Sequence, residues 1–176
     1  MSLVTFTEAR AIIPKIAANN QLKWDPIYQE VETYYLPKLL GRGFAYAVQK
    51  TPASYTELLD GDEFQDCEEE EVAFLGLKYI LTYFAFAQYI GETTVDTFTG
   101  FVEKNRNDAT GATQGQDSTM KQTNRKYAES ERTVMVEYLN QANADDPDTY
   151  PLWKCTTKKT RSIYVPKFTP IKRTLS

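Results

Sequence analysis

Four consecutive glutamates, Glu68, Glu69, Glu70 and Glu71, close a stretch in which nine of the 15 residues from Glu57 onward are acidic. Carboxylates at this density are the ligand type of a hard divalent cation, and a pair held at different pKa values could serve as general acid and base. On a helix, however, adjacent side chains leave the axis about 100° apart, so four neighbours in sequence do not converge on one ion. The expectation is a solvated, acidic helix start. Paired carboxylates for glycosidase-type work have no specific support in the sequence.

Other catalytic arrangements are thin on the ground. The chain contains no histidine, which removes the commonest general base and the commonest metal ligand together, and with them Ser-His-Asp and Cys-His catalysis. Gly111-Ala-Thr-Gln-Gly115 has two glycines but neither the lysine nor the preceding buried strand of a phosphate loop, and reads as a loop tip. Cys67 and Cys155 stand in no metal or redox motif, which points to free thiols in a reducing compartment and leaves their role open. The start of the chain lacks a basic region followed by an apolar run, so no signal peptide is expected and the protein is expected to begin in a cytoplasm. These features predict a protein that is not an enzyme and carries no metal or cofactor.

Charge is distributed unevenly. The chain has 20 basic and 24 acidic residues, a formal net charge of -4. All 24 acids lie in residues 1–153, whereas seven of the basic residues lie in Lys154–Ser176. An acidic body with a basic tail predicts that the tail seeks acid on a neighbouring copy or another partner. The tail, which also holds Ile163 and Val165, interleaves Lys158, Lys159, Arg161, Lys167, Lys172 and Arg173 with Tyr164 and Phe168, which could touch phosphate and stack on bases. The acidic body opposes that reading, and the same residues suit a protein interface whose complementary patch is Glu68–Glu71. Ile163 to Phe168 reads as an extended arm or edge strand, because Pro166 and Pro170 bar a central position in a sheet.

The elements that must hold these residues are mainly helical. Thr5-x-x-Glu8 fits a capping box ahead of Phe6, Ala9, Ile12 and Ile13, with Pro14 closing or bending the helix. Asp25-Pro26 reads as the start of a second helix, with Ile27, Val31, Tyr34 and Tyr35 apolar and Pro37 and Gly41 near its end. Short helical turns are expected over Phe44–Lys50 and from Pro52 to Asp60. A central aromatic helix is expected from about Gln65 to Ile90, its stripe formed by Val72, Leu75, Tyr79, Tyr83, Phe86 and Ile90 and its C-cap by Gly91. Its nearly apolar run from Val72 to Gly91 raises a membrane reading, which Lys78, Thr82 and Gln88 weaken.

Val95 to Val102 then alternates like one short strand or arm. From Glu103 to Lys126 the only sizeable apolar side chain is Met120, so the segment reads as a polar loop, about residues 95–117, followed by a helix that is amphipathic only in its later turns, through Tyr127, Ala128, Val134, Met135, Tyr138, Leu139 and Ala142. The fold class is therefore mainly α: a small helical bundle around a central aromatic helix over residues 1–153, with a long polar loop, and an extended basic arm over residues 154–176 able to add a β-strand.

In the order of these features the chain resembles the head-to-tail connector (adaptor or ring) proteins of tailed phages, of the crAss-like or related Bacteroidales phage type. The resemblance is carried by Ile27 to Gly41, ending Tyr34-Tyr-Leu-Pro-Lys-Leu-Leu-Gly41, by the aromatic central helix, by Phe98-Thr-Gly-Phe-Val-Glu-Lys104, and by the polar-to-amphipathic helix Ser118 to Asn140. It covers about three quarters of the chain, up to Trp153. The acidic insertion around Gln65 and the basic arm fall outside it.

The resemblance implies a structural virion protein, assembled in the host bacterial cytoplasm. It would form a closed, dodecameric ring below the portal, meet the next tail or ring protein and continue the channel through which DNA passes without sequence-specific binding. The segment bearing Phe98, Phe101, Lys104, Arg106, Asp108 and Gln114 would then face the lumen or a partner ring. A helical interaction module, cellular or prophage-encoded, that assembles no ring is the competing expectation. A membrane-associated protein and an enzyme using carboxylates alone stand behind it.

Overall fold

The computed structural model describes residues 2–16, 21–65, 69–93 and 114–154. Helix α1, Phe6–Ile12, opens with the expected capping box: the Glu8 backbone N–H donates to Thr5 Oγ1 at 3.3 Å and the Thr5 N–H donates to the Glu8 carboxylate at 2.8 Å. Two of the donors orphaned at the helix start are thereby satisfied. Its buried Ala9, together with Ile13 and Ile16 just beyond, faces the core.

Helix α2, Gln21–Leu40, starts four residues ahead of Asp25, so Pro26 and Pro37 both lie inside it. The Asp25-Pro26 start expected from sequence is corrected on this point. Burying Trp24 and Tyr28 explains the extension: both are about 1% exposed, and they stack with ring centroids 6.3 Å apart. That aromatic burial outweighs the proline's preference for a first turn. One carboxylate, Glu32, is buried in the same helix. It accepts hydrogen bonds from the Leu3 N–H at 3.0 Å, the Ser2 hydroxyl at 3.3 Å and the Gln49 amide at 2.9 Å, and so ties the first residues to α2 and α3.

Gly41 breaks α2 from α3, Arg42–Lys50, by adopting φ +82°, and a 3-10 turn at Pro52–Tyr55 leads into the short α4, Thr56–Asp60. Strands β1, Asp62–Gln65, and β2, Glu71–Phe74, then pair antiparallel with Asp62 opposite Phe74 and Gln65 opposite Glu71. This hairpin corrects the expected helix start. The acidic run is not the first turn of the central helix, and Val72 and Leu75 leave its stripe. Strand alternation accounts for the difference, with Phe64, Val72 and Phe74 turned inward while Glu63, Gln65, Glu71 and Ala73 are exposed.

The central helix, α5, spans Leu77–Thr93, with no acid in its first turn, so no carboxylate there complements the helix dipole. Gly91 lies inside it and not at a cap. Leu77, Ile80, Leu81, Phe84, Ala85 and Phe86 are buried. Helix α6, Gln114–Asp145, begins inside the stretch expected as loop and lays Ala128, Met135, Tyr138 and Leu139 against the core. α5 packs most extensively on α6 and next on α2, and these three helices form the mainly α bundle. The expected strand at Val95–Val102, most of the polar loop and the whole arm beyond Lys154 lie outside the described residues.

Candidate functional site: an acidic hairpin and a basic groove

Two glycines clamp the hairpin at its base. Gly61 and Gly76 adopt φ +100° and +95°. A Cβ on Gly61 would strike the Phe74 carbonyl oxygen, and one on Gly76 would lie 2.6 Å from the Leu59 carbonyl oxygen. The two backbones cross where no side chain fits. On its inner face Phe74 stacks on Tyr138 with centroids 5.0 Å apart, and Phe64 meets the same ring edge-on at 5.7 Å. At its exit the Leu75 N–H donates to Glu131 Oε1 at 2.6 Å. Burial pushes the Glu131 carboxyl upward, and the Leu75 N–H, by favouring the ionised form, opposes that rise.

The two strands are therefore held against the helical body, and the side chains turned away from it are acidic. Asp62, Glu63, Glu69, Glu70 and Glu71 are all exposed. Glu69 holds φ +63° in the connection, a conformation that costs a non-glycine residue about 1 kcal/mol. Glu68 and Cys67 lie outside the described residues. Among the described residues no three His, Cys, Asp or Glu side chains gather closely enough to hold a metal ion.

A second feature lies at the elbow between α2 and α3. A groove of about 660 Å³ runs past Pro37–Phe44, Arg132, Val136 and Pro151–Lys154. Leu39, Leu40, Phe44 and Trp153 on its walls are buried, Leu152 is exposed, and the charged residues around it are Lys38, Arg42, Arg132 and Lys154, with no acid among them. Lys38 holds its ammonium 3.3 Å from the centre of the Tyr34 ring, and the same contact lowers the phenol's pKa by a hydrogen bond and by charge. Arg132 pairs with Glu129 one turn earlier on α6, at 3.1 Å across an exposed surface where such pairs are worth little. Gly41 precedes α3 without a side-chain cap, and a Cβ on Gly41 or Gly43 would meet nothing within 4 Å, so this corner of the groove is open.

The wall formed by Pro151–Lys154 is held by side chains of α6. Asn143 pairs with the Tyr150 backbone in both directions at 3.0 Å, and the Trp153 indole donates to Asn140 Oδ1 at 2.9 Å. The Tyr138 and Tyr150 hydroxyls meet at 3.0 Å. Burial raises the pKa of both phenols, and the hydrogen bond between them raises that of Tyr138 further while opposing the rise at Tyr150. The segment that ends the helical body is thus anchored where the basic arm departs.

Of the residues singled out from sequence, Glu69, Glu70 and Glu71 sit together on the hairpin. Gln114 opens α6. Glu68, Phe98, Phe101, Lys104, Arg106, Asp108, Lys158, Lys159, Arg161, Ile163, Tyr164, Val165 and Phe168 lie outside the described residues. Sequence reasoning missed the groove, whose four cations come from three separated parts of the chain.

The model of a family of unknown function, DUF6712, matches residues 36–163. This chain belongs to the DUF6712 family. No curated protein matches it, and no solved structure does. The DUF6712 match starts at Leu36, so it takes in the elbow, the hairpin, α5, α6 and the anchored segment through Trp153, and leaves α1 and most of α2 outside. Both charged features therefore lie within the part of the chain that defines membership. Among the described residues no helix of this DUF6712 protein is long and apolar enough to cross a membrane.

Proposed function

We propose that this chain is a structural, non-enzymatic subunit of a tailed-phage virion that assembles into a closed ring below the portal, joins head to tail and continues the DNA channel. The observation that carries the reading is an acidic strand pair and a basic groove on one small helical body. A ring of identical subunits needs two different, mutually complementary surfaces on each copy. Support comes also from the sequence resemblance, which reaches through the elbow and α6. The basic arm, Lys154–Ser176, would reach a neighbouring subunit or the portal and add a strand through Ile163–Phe168. The polar stretch from Glu103 would line a water-filled lumen, its Lys104 and Arg106 offset by Glu103 and Asp108 so that DNA slides without being held.

Removing residues 155–176 tests the arm. The truncated chain is expected to keep its fold, because Tyr150 and Trp153 remain to close the body, while ring formation and portal binding fall at least tenfold. Unchanged assembly and unchanged portal binding would remove the arm from the account. The competing reading, a helical interaction module without ring assembly, predicts a monomer or dimer that ignores a portal.

A further inference from the structure

We propose that the basic groove at the α2–α3 elbow is the seat for the acidic hairpin of a second copy of this chain. The inference rests on the ring-forming reading and names the contact that would build the ring. Three observations carry it: the complementary charge of the two surfaces, their placement against different sides of α6, and the exposed Leu152 inside the basic rim.

Both surfaces keep charges without an ion-pair partner, although Arg132 is paired with Glu129. Asp62, Glu63, Glu69 and Glu71 have no basic side chain within ion-pair distance among the described residues, and neither Arg42 nor Lys154 has an acidic one. Lys78, close in sequence to the hairpin, is engaged by Glu8 and Asp60 at 2.9 and 2.8 Å and does not neutralise it. A folded body that leaves one sign on one strand pair and the opposite sign around one groove attracts its own kind through those two places.

Placement excludes closure within one copy. Glu131 and Tyr138 of α6 touch the hairpin, while Arg132 and Val136 line the groove. At 3.6 residues per turn these two pairs leave the helix on sides separated by more than about 100°. With its base clamped at Gly61 and Gly76, the hairpin cannot swing round to its own groove. The contact is therefore heterologous, head to tail, and such contacts close into rings or run on as filaments.

The groove offers more than charge. Leu152, 48% exposed, stands on its wall beside Leu39, Leu40 and Phe44, which are almost wholly covered within the body. An incoming strand pair would cover that surface while its glutamates meet Arg42, Arg132 and Lys154 at the rim, the arrangement of an apolar centre within a polar edge that specific interfaces adopt. Because the arm beyond Lys154 is itself basic, it is repelled by this groove and free to reach a different acidic surface.

The test is a charge exchange read by analytical ultracentrifugation at low salt. A groove variant, Arg42→Glu with Arg132→Glu, and a hairpin variant, Glu69→Lys with Glu71→Lys, are each expected to self-associate at least tenfold more weakly than the wild type. Mixed with each other, they are expected to recover association as an alternating assembly, since the exchanged hairpin matches the exchanged groove and the native hairpin of one variant matches the native groove of the other. Circular dichroism checks that both variants fold, and Arg42→Gln with Arg132→Gln serves as a milder groove variant if the reversal does not. Wild-type self-association that is indifferent to either variant overturns the hairpin–groove contact but leaves the ring reading standing on some other contact. A wild type that stays monomeric alone and beside a portal overturns both. Loss of binding to a short DNA duplex in the groove variant, with self-association intact, would reassign the groove to phosphate.

Discussion

Glu8 and Lys78, 70 residues apart in the chain, meet at 2.9 Å between Oε1 and Nζ, and the same ammonium reaches Asp60 Oδ1 at 2.8 Å. One lysine near the start of α5 thus joins the cap of α1 to the end of α4. Burial disfavours the charged ammonium, but the hydrogen bonds and charges of Asp60 and Glu8 outweigh it and raise its pKa. The charge that weakened a membrane reading of this helix is a structural tie.

The tie makes stability depend on acid. The Lys78 hydrogen bond, then the Thr5 N–H, lowers the Glu8 pKa from 4.5 to about 2. A depressed carboxylate contributes stability that is complete above its unfolded value and is lost as pH falls through its folded value. Unfolding free energy should therefore fall between about pH 4.5 and about pH 2. Glu8→Gln, which loses the ion pair with Lys78 while its amide oxygen can still accept from the Thr5 N–H, is expected to lower stability by about 0.5 to 1 kcal/mol at neutral pH and to flatten that slope. Urea unfolding of the two proteins across the acid range checks both statements.

Gly76 has no tolerated replacement. Alanine there is strained by φ +95° and meets the Leu59 carbonyl oxygen at 2.6 Å, so Gly76→Ala is expected to cost about 2 kcal/mol or more and to loosen the hairpin. Gly43, with nothing within 4 Å of its would-be Cβ and a place in the first turn of α3, is the contrast: alanine there should be neutral or stabilising by up to about 1 kcal/mol. Thermal unfolding of the two variants should move in opposite directions or leave only Gly76→Ala displaced.

The Tyr138–Tyr150 hydroxyl pair predicts a coupling. Each single change to Phe leaves the partner hydroxyl buried without that bond, whereas the double change leaves neither. A double-mutant cycle should give an interaction of about 1 kcal/mol. Additive single effects would mean that the two hydroxyls do not rely on each other.

Packing on α6 sets the largest expected loss. Met135 and Leu139 are both fully buried, and truncation of either to Ala should cost about 2–5 kcal/mol, seen as a shift in the denaturation midpoint at constant slope.

Much of this body is legible in the sequence. The Thr5 to Glu8 spacing gives the capping box because the pairing is local, and the spacing of Met135, Tyr138 and Leu139 marks the buried face of α6 because helical period survives in sequence. The hairpin was hidden by composition: nine acids in 15 residues look like a solvated helix start, while the informative signal was the alternation Phe64, Val72, Phe74 between Gly61 and Gly76. The early start of α2 was hidden because Pro26 speaks locally and the burial of Trp24 and Tyr28 does not. The groove left no trace in the sequence, since Lys38, Arg42, Arg132 and Lys154 converge only when α6 packs beside the elbow.

The proposed role requires ring assembly below a portal. The measurement that tests it most directly is negative-stain imaging of the purified chain, alone and mixed with a portal ring from the same genome. Closed rings, or a new layer on the portal, are the predicted result. A protein that remains a monomer and leaves the portal bare would contradict it.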